Sequence, residues 1–240
     1  MATEGGPSIV EDGLIFSLDP ANIKSYPGSG TSCTELSSNR SSGTLENGVS
    51  FDSGNQGSFV FDGTDDRIAM SDNLMSSLGV SSGIDNDVPY SMEAVFKIDT
   101  NPTGVGTSGY SLMGHASGGG IGLQVFDDPG IYINFGYRGN SNYSFPQQVI
   151  STSTWYHVIC TRPSGGSSVT IRCYINGSEI GSTSIGLRVD YTTGEFQVGD
   201  AESRIGNLDG NIALARVYNK ELSASEVLQN YNAVKGRFGL

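Results

Sequence analysis

The sequence predicts an all-β protein: an antiparallel jelly-roll sandwich with one short helix near the C-terminus. Three observations carry that reading. Apolar residues fall in many short runs rather than helical stripes, with an overall hydrophobic fraction of 36%. Several of those runs alternate apolar and polar with period two, as a half-buried strand does. The 34 glycines of the chain recur between the runs, where sharp reversals need them.

The clearest alternation places Met92, Ala94, Phe96 and Ile98 on one side and Ser91, Glu93 and Lys97 on the other. It predicts one buried and one wet face. Ile121, Leu123 and Val125, then Ile131, Ile133 and Phe135, flank Asp127-Asp128-Pro129-Gly130, a turn sequence, and so form a hairpin. A second hairpin runs from Trp155-Tyr156-His157-Val158-Ile159-Cys160 through Arg162-Pro163-Ser164-Gly165-Gly166 into Val169, Ile171, Cys173 and Ile175. It ends at Asn176-Gly177, a dipeptide that tolerates positive φ, so another strand follows over 179–184. Further strands are expected at 14–18, 58–61, 67–70, 196–198 and 211–218. More than ten short strands point to a sandwiched or closed sheet. Ser223-Ala224-Ser225-Glu226 is a capping box, with Leu222 and Val227 as its staple; the short helix it starts presents Val227, Leu228 and Tyr231 on one face. Residues 25–56, rich in Ser, Gly, Asn and Thr, read as a long surface excursion. No internal repeat is evident, which argues against a propeller or solenoid. The division expected is an N-terminal arm at 1–12, one domain at 13–232 and a tail at 233–240.

Charge excludes some partners. With 25 acidic and 13 basic residues the formal charge is −12, which repels phosphate backbones, so nucleic acid is not an expected partner. No apolar run approaches the roughly 20 residues that span a bilayer, so no membrane partner is expected either. The opening Met1-Ala2-Thr3-Glu4-Gly5-Gly6-Pro7 lacks a basic region followed by an apolar one, so no secretion signal is expected. Cys33, Cys160 and Cys173 have no zinc-ligand spacing and are expected as buried thiols; a pair between Cys160 and Cys173, on consecutive strands, stays open. The Asn-x-Ser triplets at Asn39, Asn142 and Asn176 read as chance matches to a glycosylation acceptor.

Several segments together resemble the laminin-G-like domain of the concanavalin A-like lectin/glucanase superfamily. They are Phe61-Asp62-Gly63-Thr64-Asp65-Asp66, the strand at 90–98, Trp155-Tyr156-His157-Val158, Tyr174-Ile175-Asn176-Gly177, and Gly210-Asn211-Ile212-Ala213 leading into Arg216-Val217-Tyr218 and the capping box. In order and spacing they cover about 14–231. The opening at 13–22 and the closing stretch at 231–238 also resemble laminin-G-like structural proteins of tailed phages, especially those of marine cyanobacteria. That resemblance implies a virion component, a decoration or fibre protein, made in the host cytoplasm and released by lysis. Its implied partners are other virion structural proteins, further copies of itself as a homo-oligomer, and a host-surface glycan. A free lectin-like module and a divergent glycan-cleaving enzyme are the alternatives.

Glycoside hydrolases of that superfamily carry acidic residues at alternate positions of one strand, because acid and nucleophile flank one glycosidic bond. No such array is present; Asp200-Ala201-Glu202 is the nearest approach. No catalytic residue is therefore assigned, and the chain is read as a non-enzyme. His115 and His157 lack a nucleophile motif and read as structural. Gly118-Gly119-Gly120 is not a phosphate loop, since no Lys-Ser/Thr follows. Calcium is the one cofactor admitted, though none is required: related domains carry it, and hard oxygen ligands cluster at Asp62, Asp65 and Asp66 and at Asp127 and Asp128. The same carboxylates also serve to cap turns. For a glycan, Tyr137, Arg138, Asn140, Asn142 and Tyr143 combine aromatic faces with amide and guanidinium donors. The alternative for that segment is a contact with a neighbouring subunit. Assembly is expected to use the terminal segments, where Pro7, Ile9, Val10, Phe238 and Leu240 have no evident partner strand, unless they dock on the chain's own sandwich.

Overall fold

Two eight-stranded antiparallel sheets face each other, and the alternation read from the sequence sets which side chains fill the space between them. The computed structural model describes residues 8–102, 109–116, 119–127, 131–137, 141–145, 150–166, 168–186, 188–200 and 206–240, with the backbone alone at 137, 141 and 142. The first sheet contains β1 (Leu14–Leu18), β4 (Ser50–Asp52), β5 (Ser58–Asp62), β8 (Tyr90–Ile98), β13 (Tyr156–Arg162), β14 (Val169–Ile175), β15 (Ser178–Ile185) and β18 (Asp209–Tyr218). Its order is β15-β14-β13-β8-β18-β5-β4, with β1 also on β18. The second contains β2 (Ser32–Thr34), β3 (Ser42–Glu46), β6 (Arg67–Met70), β9 (Gly109–His115), β10 (Gly122–Asp127), β11 (Ile131–Tyr137), β12 (Ser141–Phe145) and β17 (Phe196–Val198). Its order is β12-β11-β10-β9-β17-β6-β3-β2. A small ribbon pairs β7 (Ile84–Asp85) with β16 (Val189–Asp190).

Both expected hairpins form, β10 with β11 and β13 with β14. The inner faces supply one core, in which Met92, Ala94, Phe96 and Ile98 meet Leu123, Val125, Ile133 and Phe135. Rings cross the interface: Tyr90 lies 5.0 Å from Phe135, and Phe16 packs edge-on to Phe196 at 5.1 Å. The segment 25–56, expected as a surface excursion, holds three short strands, β2, β3 and β4. Its polar composition hid them because they are edge or near-edge strands with little to bury.

The helix α1 (Ala224–Phe238) starts at the capping box: Glu226 N–H donates to Ser223 Oγ at 3.3 Å, and Ser223 N–H donates to Glu226 Oε2 at 2.8 Å. It runs through 233–238, which the sequence reading placed in a tail. Gly236 weakens the helical signal there, but Val234 and Phe238, one turn apart, pack on Val95, Ala213 and Leu214 of the first sheet. Phe238 also lies 4.9 Å from the Trp155 ring. Arg237 joins Asp19 Oδ1 at 3.0 Å and donates to the carbonyls of Asn55 and Gly57. At the other terminus Val10 is buried beside Ile159, Tyr218 and Val227, and its N–H donates to Asn230 Oδ1 at 2.8 Å. Val10 and Phe238 therefore dock on their own sandwich rather than awaiting a neighbouring subunit.

This docking overturns the expected wet face of β8. Ser91 and Glu93 are both fully buried, because α1, the segment leading into it and the N-terminal residues around Val10 cover that side. Ser91 Oγ donates to the Lys220 carbonyl and accepts from Leu222 N–H. Glu93 accepts from His157 Nε2 at 2.9 Å, Arg216 at 3.0 Å, Tyr218 Oη at 3.3 Å and Asn230 Nδ2 at 2.8 Å. Burial alone would raise the Glu93 pKa, but Arg216, His157 and Tyr218 outweigh it and hold the carboxyl below the ordinary carboxylate range. A folded-state pKa below the unfolded one adds stability at neutral pH, which is lost as pH falls below about 4.5 and through the folded value. Glu93→Gln should be less stable at pH 7, by about 3–5 kcal/mol if the buried charges lose their counterion. The deficit should shrink towards pH 3, because below about 4.5 the unfolded wild-type chain takes up the proton that the folded state resists. Urea unfolding at the two pH values checks this, and an equal deficit at both would remove the charge from the account.

Candidate functional site

While α1 covers the middle of the first sheet's outer face, the outward side of the second sheet carries a row of polar side chains. On β10, Leu123 and Val125 enter the core, so Gln124 and Phe126 point the other way. The register then aligns a polar row across four adjacent strands: Ser144 opposite Asn134, Asn134 opposite Gln124, and Gln124 opposite Ser111. One pair along, Tyr132 sits opposite Phe126, and their rings stack at 6.0 Å with 13° between the planes. Phe126 lies over Gly109, where a Cβ would come within 2.9 Å of the ring. On the other side of the polar row the outward positions are Gly114, Gly122 and Gly136, on three neighbouring strands. Gln124 leans towards these glycines, with its Nε2 3.0 Å from where a Cβ on Gly122 would stand.

Although they face away from the core, Ser111, Gln124 and Asn134 are 0–3% exposed. Asn134 Nδ2 donates to Ser144 Oγ at 3.0 Å, but Asn134 Oδ1, Gln124 Oε1 and Ser111 Oγ have no partner. A sheltered polar atom without a partner costs about 1–3 kcal/mol, and although single ones such as Tyr90 Oη and Thr161 Oγ1 occur elsewhere, here three stand in one row. All three atoms are closed off from solvent, which leaves two acceptors and one hydroxyl unmet in one row. The row is uncharged, which suits a neutral ligand rich in hydroxyls.

Three of the predicted glycan residues lie on β11 and β12, at one edge of this sheet. Asn142 pairs with Gly136 and Tyr143 with Phe135 in the β11–β12 ladder, and Tyr137 closes β11. Tyr143 is half-buried, packed against the core and edge-on to Phe145 at 5.3 Å, so its ring serves packing rather than the outer face. Arg138 and Asn140 lie outside the described residues. Gln124 and Asn134 were missed, yet the signal was present: they alternate with the core residues of a predicted hairpin, and its turn sets them opposite one another.

The acidic residues separate into two places. Asp62, Asp65 and Asp66, at the β5–β6 turn, bring one carboxylate oxygen each within 4.8 Å of the others. Asp66 is nearly buried; its Oδ2 accepts Asp62 N–H at 3.0 Å and its Oδ1 has no partner. Burial, with the charges of Asp62 and Asp65, raises its pKa against the Asp62 amide that lowers it. Three hard oxygens around an orphaned carboxylate oxygen fit a divalent cation. Asp127 ends β10 in the second sheet and does not join them, and Asp128 lies outside the described residues.

Other candidates are accounted for structurally. Burial pushes His115 below the ordinary histidine range; its Nδ1 accepts Ile121 N–H at 3.1 Å and its Nε2 faces the Asn73 carbonyl. His157 holds Glu93. Glu202, of the nearest acidic pair, lies outside the described residues.

A sequence profile described as the concanavalin A-like lectin/glucanases superfamily matches residues 62–228. The chain belongs to that superfamily. Among solved structures it is similar to domain 4 of AbnA, a GH43 extracellular arabinanase from Geobacillus stearothermophilus, solved with arabinotriose. The two share 18% identity and a TM-score of 0.65, over 91% of this chain and 98% of that one. The binding domain of Paraclostridial Mosquitocidal Protein 1 shares 18% identity and a TM-score of 0.65, over 93% of this chain and 52% of that one. The receptor binding domain of botulinum neurotoxin D shares 17% identity and a TM-score of 0.63, over 92% and 52%. The chain thus spans about half of each toxin domain; at these identities the likeness concerns the fold. Among curated proteins no sequence matches. Also, no described helix is long and apolar enough to cross a membrane.

If Gln124 serves a ligand rather than the fold, Gln124→Met should fold at least as stably as wild type, gaining up to about 1–2 kcal/mol by removing an unpaired acceptor. Urea midpoints test this. A loss beyond about 2 kcal/mol would make the amide a structural element.

Proposed function

We propose that this protein is a non-enzymatic carbohydrate-binding module whose site is the polar row of the second sheet, and that it serves as a virion structural component contacting host-surface glycans. The observation that carries the first part is the row itself: Ser111, Gln124 and Asn134, sheltered and unpaired, beside the Phe126–Tyr132 stack. Once the sheltered row opens, sugar hydroxyls donate to Gln124 Oε1 and Asn134 Oδ1 and exchange with Ser111 Oγ, while the half-buried Tyr132 ring offers an apolar face to ring C–H groups. The arabinanase domain that matches nearly end to end was solved with arabinotriose, which supports an oligosaccharide here. The toxin domains are binding and receptor-binding domains, which supports recognition over catalysis. The row is built of amides and a hydroxyl where glycoside cleavage would need two carboxyl groups.

The virion placement rests on the resemblance of 13–22 and 231–238 to phage structural proteins. It is also the setting in which a module of modest affinity works, since many copies on one particle multiply weak contacts. Mass spectrometry of purified particles, with copy number, tests the placement; a chain absent from particles overturns it.

Isothermal titration with arabinotriose and with gluco- and xylo-oligosaccharides tests the site. At least one should bind, and Gln124→Met and Asn134→Leu should each weaken it about tenfold, near 1.4 kcal/mol. Unchanged affinity in both variants removes the site, and cleavage of a probe removes the non-enzymatic reading.

Calcium at Asp62, Asp65 and Asp66 is the cofactor we propose, holding the β5–β6 turn. Calcium at a hundred times its dissociation constant should raise stability by about 2.7 kcal/mol in wild type, reversed by chelation. Asp66→Asn should abolish that response; an equal response in the variant would locate any ion elsewhere.

A further inference from the structure

Cys160 on β13 and Cys173 on β14 stand directly opposite each other. Farther along the same ladder, Asn176 N–H donates to the His157 carbonyl at 2.8 Å, so His157 and Asn176 form a hydrogen-bonded pair. Hydrogen-bonded and non-hydrogen-bonded pairs alternate along an antiparallel ladder, and the β13–β14 register has no bulge. Three steps from His157, Cys160 and Cys173 are therefore a non-hydrogen-bonded pair. Such pairs hold their Cα atoms about 4.5 Å apart, within the roughly 4.4–6.8 Å that a disulfide bridges. Both side chains enter the same core, and both are fully buried. The third cysteine, Cys33, is in the other sheet on β2, with its Sγ over Gly43.

We propose that Cys160 and Cys173 are a disulfide-forming pair, closed by exchange with a small-molecule disulfide such as oxidised glutathione, while Cys33 stays a thiol. One cysteine thiolate attacks the small disulfide, forming a mixed disulfide and releasing one thiolate, which takes a proton. The second cysteine thiolate then attacks the protein sulfur of that mixed disulfide and expels the other small thiolate. Two protein thiols and one small disulfide become one protein disulfide and two small thiols. Burial, and next the neighbouring Cys173, push the Cys160 thiol well above its ordinary range, so the folded, closed hairpin reacts slowly. Opening starts from β15, the largely exposed edge strand that covers β14. The bridge fastens β13 to β14 once the chain leaves a reducing compartment.

Full-length protein, unfolded in urea and refolded with oxidised glutathione, tests this. The refolded protein should weigh two hydrogens less, yield one linked peptide containing Cys160 and Cys173, and show one titratable thiol under denaturing conditions where the reduced chain shows three. Its melting temperature should rise by roughly 5 °C and fall back on reduction. Cys33→Ser should form the same bridge. Cys160→Ala and Cys173→Ala, which keep the core apolar, should form none within the chain. Three free thiols after oxidation, a bridge to Cys33, or an oxidised protein that melts below the reduced one each overturns the proposal.

Discussion

The buried carboxylate of Glu93 is the constraint on which the architecture turns. It sits on the side of β8 that the helix covers, and its four donors come from β13, β18 and α1. An unpaired charge there would cost several kcal/mol, so the sheet and the helix must assemble together for it to be tolerated. Asn230 extends the link: it donates to Glu93 through Nδ2 and accepts Val10 N–H through Oδ1, so the N-terminal segment is fixed by the same group. Two apolar clusters flank this polar centre, one around Tyr218, Leu222 and Val227 and one around Leu214, Val234 and Phe238. The apolar contacts supply burial, and the carboxylate fixes the register in which they close.

The inner face of the first sheet belongs to the core, and α1 takes the middle of its outer face, around β8, β13 and β18. The polar groups of the second sheet's outward side are arranged differently. Glu93 has a donor for every need, while Gln124, Asn134 and Ser111 are left with unmet hydrogen bonds. Unpaired buried atoms occur on both sheets, Tyr90 Oη, Thr161 Oγ1 and Arg216 Nε on the first among them, but Ser111, Gln124 and Asn134 stand side by side in one row of the ladder. Such local expense, offset by the rest of the fold, is the usual mark of a surface shaped for a partner.

The sequence made most of the sandwich legible, because period two survives wherever one face alone is buried. It misled at β8. Ser91 and Glu93 alternate with apolar residues as solvent-facing residues would, and nothing local announces that a helix more than a hundred residues later will cover them. The helix start was readable from its cap, whereas its end was masked by Gly236, whose low propensity is overridden by Phe238 packing on Trp155. The site was half legible. Exposed-looking Tyr and Asn drew attention to 137–143, but Tyr143 turns to the core. The row that matters consists of residues whose significance appears only when four strands are aligned. The acidic cluster was the reverse case, since Asp62, Asp65 and Asp66 lie within one turn and their convergence is a local property.

Charge and hydrogen bonding together bound what the proposed site can do. The formal charge of −12 lies on a chain whose polar row carries no ionised group, so the surface resists polyanions while the row itself draws no ions. Neutral hydrogen bonds each contribute about 0.5–1.5 kcal/mol net, and an aromatic contact adds a similar amount. Three such bonds and one ring amount to roughly 2–6 kcal/mol, which corresponds to dissociation constants around millimolar. A single copy therefore holds a glycan only briefly. Affinity of that order becomes useful when copies are arrayed, because each contact made raises the effective concentration for the next, and the rigid double-layered sheet keeps the rows in fixed orientation for that purpose.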